Sequence, residues 1–283
     1  NVTAPGEDTF PYDCGTVVDL LAKPAEGYSF VEWSGDVGTV DNINAAETTI
    51  TMSGNYSITA SFGLFAGGNG TAEDPYQIAD WYHLDNVRNY LSSHFIVIND
   101  LDSNSIGYTE LASATAHEGK GWQPVGSTAG KFAGSFDGQG YEICDLFIDR
   151  SGGSDVGLFG VLDEAGVIEN VGVSGNVTGN LNVGVLAGKN EGTVSTSYSA
   201  GSVTGDDFVG GLVGKNEGIA GNSSSSSSVI GDTRVGGLVG QNSDTVSDSY
   251  AAGNVTGSGY VGGLAGRNEG PVSNSYAAGS VIG

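Results

Sequence analysis

Short apolar runs of Val, Leu and Ala, each bounded by Gly, Asn or Ser, recur along the second half of the chain in fixed register. VGVLAG at Val183, VGGLVG at Val209 and Val235, and VGGLAG at Val261 each begin 26 residues after the last. The register extends beyond that string. Asn190, Asn216, Asn242 and Asn268 share one position, and Tyr198, Tyr250 and Tyr276 another with Ser224 in the gap. Val203, Val229, Val255 and Val281 close each unit. No helical periodicity runs through these segments, so the pattern predicts about three short strands per repeat, separated by tight turns. A unit of this length cannot bury its apolar face alone, which predicts an all-β solenoid with one parallel β-helix coil per repeat.

Coils stacked at roughly 4.8 Å would set each residue over its counterpart in the next coil. Val and Leu columns then fill a dry interior. The Asn column is expected to sit in left-handed turns and to bond amide to amide along the stack. Glycines are expected at corners that a Cβ would obstruct. The Tyr rings should stack in part, broken at Ser224. Lys189, Lys215 and Arg267 precede the Asn column and Glu191, Glu217 and Glu269 follow it, which predicts an exposed ladder of ion pairs.

Upstream, Asp80 has the character of a helix N-cap, followed by Trp81, Leu84, Val87 and Leu91 at helical spacing. This short amphipathic helix is expected to close the first coil, because a solenoid end exposes strand edge and apolar interior. The first sixty or so residues have another texture, an alternation of apolar and polar positions typical of half-buried strands. A glycine-rich joint, GLFAGGNGTAEDP, separates the two parts.

The segments VGGLVGKNEG and SYSAGSVTG closely resemble the GLUG repeat of bacterial and archaeal surface and secreted proteins. FAGGNGTAEDPYQIADWYHLDNVRNYL, GWQPVGS and FAGSFDGQGYEICDLFI resemble the lead-in such proteins carry, so the likeness extends from about Phe65 to Gly283. It implies a right-handed parallel β-helix on a secreted or cell-surface protein. The GYxFVxWSGD core and the TITM…NYSITASF ending of the first part resemble the divergent internalin-type B-repeat, a small extracellular β-module. Such modules have a further strand before the position of Val2, so trimming, a preceding module or a neighbouring subunit is expected to account for it. The expected organisation is therefore a B-repeat module over 1–63 and a capped GLUG β-helix over 64–283. Within the latter, 64–155 would form the cap and lead-in coils and 156–283 the regular repeats. The last repeat breaks off at Gly283, and self-association or further modules are expected at the chain ends.

Charge narrows the partners. The net charge is −24, and residues 1–179 hold 25 acids and 5 bases against 8 and 4 in residues 180–283. Such a surface repels nucleic acid and anionic membrane. No stretch is apolar enough to span a bilayer and no signal peptide opens the sequence. An extracellular or cell-surface location, with any leader already removed, is the expectation. Sequons at Asn1, Asn55, Asn69, Asn176, Asn222 and Asn254 are candidate glycosylation sites. Cys14 and Cys144 either pair across the two parts or remain thiols.

Catalytic chemistry is sparse. GGLVG lacks the Lys-Ser/Thr of a phosphate loop, and a signal repeated in register is a fold signal. Some GLUG-bearing proteins are zinc peptidases, but His117-Glu118-Gly119-Lys120-Gly121 lacks the second His, and His83 and His94 complete no metal set. No catalytic residue and no cofactor is expected. Calcium is the one ion that the spacing of acidic residues suggests. Asp206 and Asp232 hold equivalent positions in adjacent repeats, either sharing a cation or serving as polar turn residues. Asp100, Asp102 and Asn104 alternate as in a calcium loop but without its glycine and terminal Glu. The reading that follows is a non-enzymatic surface protein: a stalk, adhesin segment, or subunit of a surface layer or filament. The alternatives are a polysaccharide-binding or polysaccharide-degrading module, with Tyr198, Tyr250, Tyr276 and Trp122 as sugar platforms, and an inert spacer.

Overall fold

The computed structural model describes residues 1–25 and 28–283. Strands β1 (Val2–Ala4), β2 (Val17–Ala22) and β4 (Glu47–Thr51) form an antiparallel sheet, and β3 (Ser29–Gly35) pairs with β5 (Ile58–Gly63). The strict alternation of β2, exposed then buried, turns Val18, Leu20 and Ala22 inward against Trp33 and Ile50. Gly27, the first residue of the B-repeat-like core motif, lies outside the described residues.

The solenoid begins with β6 (Tyr76–Ile78), which pairs in parallel with β7 (His94–Val97). Between them α1 (Trp81–Asn86) forms as expected: the Asp80 carboxylate accepts from the His83 N–H at 2.8 Å, and Trp81, Leu84 and Val87 are fully buried. The same carboxylate accepts from Ser29 Oγ at 2.6 Å in a buried contact, so the helix cap also fastens the module to the solenoid. A second short helix, α2 (Tyr108–Leu111), lies in a long excursion ahead of β8 (Ser135–Asp137) and β9 (Glu142–Asp149).

Five coils follow, and the first two set the pattern. One comprises β10 (Ser154–Val156), β11 (Phe159–Leu162), β12 (Val167–Glu169) and β13 (Gly172–Thr178). The next comprises β14 (Leu181–Val183), β15 (Ala187–Asn190), β16 (Thr193–Ser195) and β17 (Tyr198–Thr204). These two coils have four strand segments rather than three. In later coils the last segment is split, as into Ser224–Ser225 and Ser228–Ile230, and the coils stack into four parallel sheets, the shortest holding 5 strands. Registers such as Asn190↔Asn216↔Asn242↔Asn268 keep the sequence period through the stack.

The core is continuous from Phe65 to Val255 and tapers in composition. Aromatic pairs fill the lead-in coils, with Trp81–Trp122 centroids 5.7 Å apart and Phe132–Phe159 5.0 Å apart. Val, Leu and Ala fill the regular coils, joined by buried Ser197, Ser223 and Ser249. Each serine oxygen accepts a backbone N–H from the coil below, as Ser223 does from Ser197 at 3.2 Å, and donates to the carbonyl two residues back.

The corners differ from the expectation. Left-handed positions are held by Asp155, Asn182, Phe208, Arg234 and Tyr260 in one column and by Asn170, Thr196, Asn222, Asp248 and Asn274 in another. Most repeat glycines are not left-handed. They are required by close backbone approach: a Cβ on Gly214 would lie 2.4 Å from Val183 N, and one on Gly210 2.0 Å from Val213 O.

Candidate functional surfaces

The Asn column builds the backbone of the stack. Asn190 donates to Asn216 Oδ1 at 2.8 Å, Asn216 to Asn242 at 2.8 Å, and Asn242 to Asn268 at 2.9 Å. Asn190, Asn216 and Asn242 are fully buried, and each amide also donates to a nearby carbonyl, as Asn216 does to Gly218 O at 2.8 Å. The amide ladder is as expected, but these residues are absent from the left-handed positions.

The charged columns lie beside it, half-buried in the inner coils and exposed at Glu269, which pairs with Arg267. Lys189 bridges Glu191 and Glu217 at 2.7 Å each, Lys215 meets Glu217 at 2.6 Å, and Lys131 extends the ladder to Glu191 from the lead-in. Burial acts against the Lys189 ammonium, but its hydrogen bonds to Glu191 and Glu217 outweigh this and raise its pKa. Burial likewise works against the Glu217 carboxylate, whose bonds to Lys189 and Lys215 nonetheless lower its pKa. Gln241 takes the basic position in one coil and donates to Glu269 at 2.9 Å. A neighbouring corner carries Arg234 over the Phe208 ring, 3.8 Å from its centroid, and paired with Asp207.

The tyrosines are on the surface. Tyr250 and Tyr276 stack with centroids 5.4 Å apart and planes 9° from parallel. Tyr198, below the Ser224 gap, instead donates its hydroxyl to Glu142. That hydrogen bond, with burial and the carboxylate's charge adding to it, pushes the Tyr198 pKa up to about 12. Trp122, expected to be a sugar platform, is fully buried, with Nε1 donating to Leu158 O at 3.0 Å. It belongs to the core because the lead-in coils need large rings to fill them.

In both acidic motifs carboxylates are engaged by the chain's own donors. Asp206 and Asp232 do stack, joined by the Asp232 N–H to Asp206 O bond at 3.0 Å, but the Asp206 carboxylate accepts from the Asn180 amide. The Asp102 carboxylate accepts from Asn104 N at 2.9 Å and Ser105 Oγ at 3.1 Å, and Asp100 accepts from Glu142 N at 2.9 Å. Those hydrogen bonds, led by the Asn104 side chain, lower the Asp102 pKa and close a turn with the chain's own donors. Among the described residues no group of three or more His, Cys, Asp or Glu is placed to hold a metal ion.

Cys14 and Cys144 are both free thiols, so the considered pairing is not made. Cys14 is exposed in the module, whereas Cys144 is half-buried on β9, where burial raises its pKa. All six sequon asparagines, Asn1, Asn55, Asn69, Asn176, Asn222 and Asn254, are exposed. Among the described residues no helix is long and apolar enough to cross a membrane. The Ser29–Asp80 contact, the buried Ser column and the bond from Tyr198 to Glu142 were not anticipated. Only the Ser column left a signal, its recurrence every 26 residues at Ser197, Ser223, Ser249 and Ser275.

Comparison with known proteins accords with this architecture. Residues 2–64 match the Divergent InlB B-repeat domain, and residues 231–256 and 257–282 each match the GLUG motif. The chain is similar to a candidate Gly-rich membrane protein of Evansella cellulosilytica, 41% identical over 141 residues, covering 48% of this chain and 15% of that protein. It is also similar to the halomucin of Haloquadratum walsbyi, 39% identical over 134 residues, covering 45% of this chain and 1% of halomucin. A solved structure, a candidate immunoglobulin A1 protease from Bacteroides ovatus, shares the fold with a TM-score of 0.63 at 24% identity, over 77% of this chain and 70% of that one. The chain therefore joins a divergent InlB B-repeat domain to a β-solenoid whose coils include GLUG motifs.

Proposed function

We propose that this chain is a non-enzymatic structural segment of an extracellular or cell-surface protein, a stiff stalk or adhesin segment. The observation that carries the reading is the Asn ladder. It spends the repeat's buried polar groups on one another along the axis, from Asn190 to Asn268. A stack stabilised this way resists bending and presents side chains at a fixed interval of roughly 4.8 Å. The fastening of module to cap through Ser29 and Asp80 extends that stiffness across the joint. The names of the two relatives, a Gly-rich membrane protein and halomucin, fit a role at the cell boundary. Assembly into a layer or filament belongs to the same proposal.

Antibody labelling of intact, unpermeabilised cells that express the parent protein tests the location, and sedimentation of the purified chain tests assembly. Surface labelling that external protease removes is the expected result. Labelling seen only after permeabilisation overturns the location.

A further inference from the structure

The repeat is most disturbed where the lead-in meets the regular coils, and that disturbance makes a cleft. Between β9 and β13 the register slips: Ile143 pairs with Val173 but Leu146 with Gly175, so Cys144 and Asp145 together face Ser174. Asp145 is held left-handed at φ 60°, as a bulge residue that re-aims its side chain. The excursion carrying α2 is fastened above it. Ser103 N donates to the Asp145 carboxylate at 3.1 Å, and the Tyr108 hydroxyl donates to Asp145 O at 2.9 Å. Beneath lies a cleft of about 500 Å³, walled by Ser103, Tyr108, Asp145, Ser174 and Asn176 and floored by Gly201. No side chain can grow from that floor, because a Cβ on Gly201 would lie 2.0 Å from Gly175 O.

A second hollow of about 380 Å³ lies on the same face, lined by Asp137, Gln139, Asn170, Thr196 and Tyr198. Tyr198 and Gly201 are three residues apart on β17, so the two hollows sit roughly 10 Å apart along the strand. The Tyr198 ring, which lines the second hollow, is 41% exposed yet fixed in place. Its hydroxyl is tied to Glu142, and the ring lies where a Cβ on Gly172 would be, 2.3 Å from Cζ.

The lining chemistry selects the ligand. No basic residue lines either hollow, which disfavours anions, and no metal-holding group of three forms among the described residues. β13 and β17 are hydrogen-bonded on both sides, which leaves no edge for an added peptide strand. What remains is carboxylate, amide and hydroxyl groups around a fixed aromatic ring, the recognition set for a neutral molecule rich in hydroxyls. We propose that this face, from Asp137 across Tyr198 to Asn176, binds a short stretch of a neutral, linear polysaccharide. The site is separate from the stacked Tyr250 and Tyr276, which cover each other's faces.

The test is calorimetric titration of the full, unglycosylated chain with neutral glucan, mannan and galactan hexasaccharides. Three variants are compared, each checked by circular dichroism. One of the hexasaccharides is expected to bind saturably. Tyr198→Ala and Ala114→Trp, the latter growing a ring into the cleft from an exposed position, should each weaken binding tenfold or more. Tyr250→Ala should leave it unchanged. The proposal is overturned if no neutral hexasaccharide binds at millimolar concentration. It is equally overturned if Ala114→Trp binds as wild type does, or if Tyr250→Ala loses as much as Tyr198→Ala. A negative result leaves the structural role standing, since that role rests on surface labelling.

Discussion

Replacing Asn216 with Ala interrupts the amide ladder at its middle. In the native stack the Asn216 amide donates to Asn242 Oδ1 at 2.8 Å, to Gly218 O at 2.8 Å and to Thr245 O at 3.1 Å. Its own oxygen accepts from Asn190 at 2.8 Å. In the variant Asn190 keeps a second acceptor, Ile219 O at 3.0 Å, and Gly218 O keeps the Thr245 N–H at 3.2 Å. Asn242 Oδ1 keeps no donor, and it is fully buried. One orphaned buried acceptor plus the remaining lost bonds amount to about 2–4 kcal/mol. Asn216→Asp should cost more, because the carboxylate supplies no donor to Asn242 and is buried without a cation, and acidification should recover part of the loss. Urea unfolding followed by circular dichroism measures both, with salt held constant. Asn216→Ala within about 0.5 kcal/mol of wild type would refute the reasoning that the ladder carries the stack.

Other consequences follow from separate features. Thr196 is the one β-branched residue in a left-handed column otherwise made of Asn170, Asn222, Asp248 and Asn274, so Thr196→Asn should stabilise by about 0.5–1 kcal/mol in the same assay. Gly175→Ala should destabilise by more than about 2 kcal/mol, since its Cβ would meet Leu146 O at 2.0 Å. The ion-pair ladder should contribute across a plateau of pH. Glu191 and Glu217 have lowered pKa values, so their share is present above the unfolded value of about 4.3 and is lost as pH falls through the folded one. Lys189 has a raised value, so its share is present below about 10.4 and lost as pH rises through the folded value. Lys189→Met should therefore cost under about 1 kcal/mol near neutral pH, less in high salt, as thermal melts would show. With a thiol reagent under native conditions Cys14 should react fast and Cys144 slowly, and reduction should leave the mass unchanged.

The sequence period made the solenoid legible because stacking forces every column to obey one environment, so identity at a spacing of 26 becomes identity of surroundings. The Asn ladder and the tyrosine stack are readable on that basis, and the cap at Asp80 from local N-cap chemistry and helical spacing. The corners were not. Phe208, Arg234 and Tyr260 have no intrinsic preference for left-handed backbone, and they adopt it because the coils above and below dictate the turn. Glycines stand, as expected, where a Cβ would be obstructed, and backbone packing rather than their own torsions requires them: Val213 O of its own coil at Gly210 and Val183 N of the adjacent coil at Gly214. Trp122 looks like a surface aromatic in sequence because nothing local reveals that the lead-in coils are filled with rings. The cleft at Asp145 depends on a one-residue slip between strands far apart in the chain, which no local pattern records.

Hydrogen–deuterium exchange across residues 156–283 tests the central claim most directly, that a single repeating coil held by inter-coil bonds makes the stiff element. Slow exchange should recur with the 26-residue period at the segments around Asn190, Asn216 and Asn242. The left-handed corners at Asn182, Phe208 and Arg234 should exchange faster between them. Uniformly fast exchange through these repeats, or protection without the period, would contradict it.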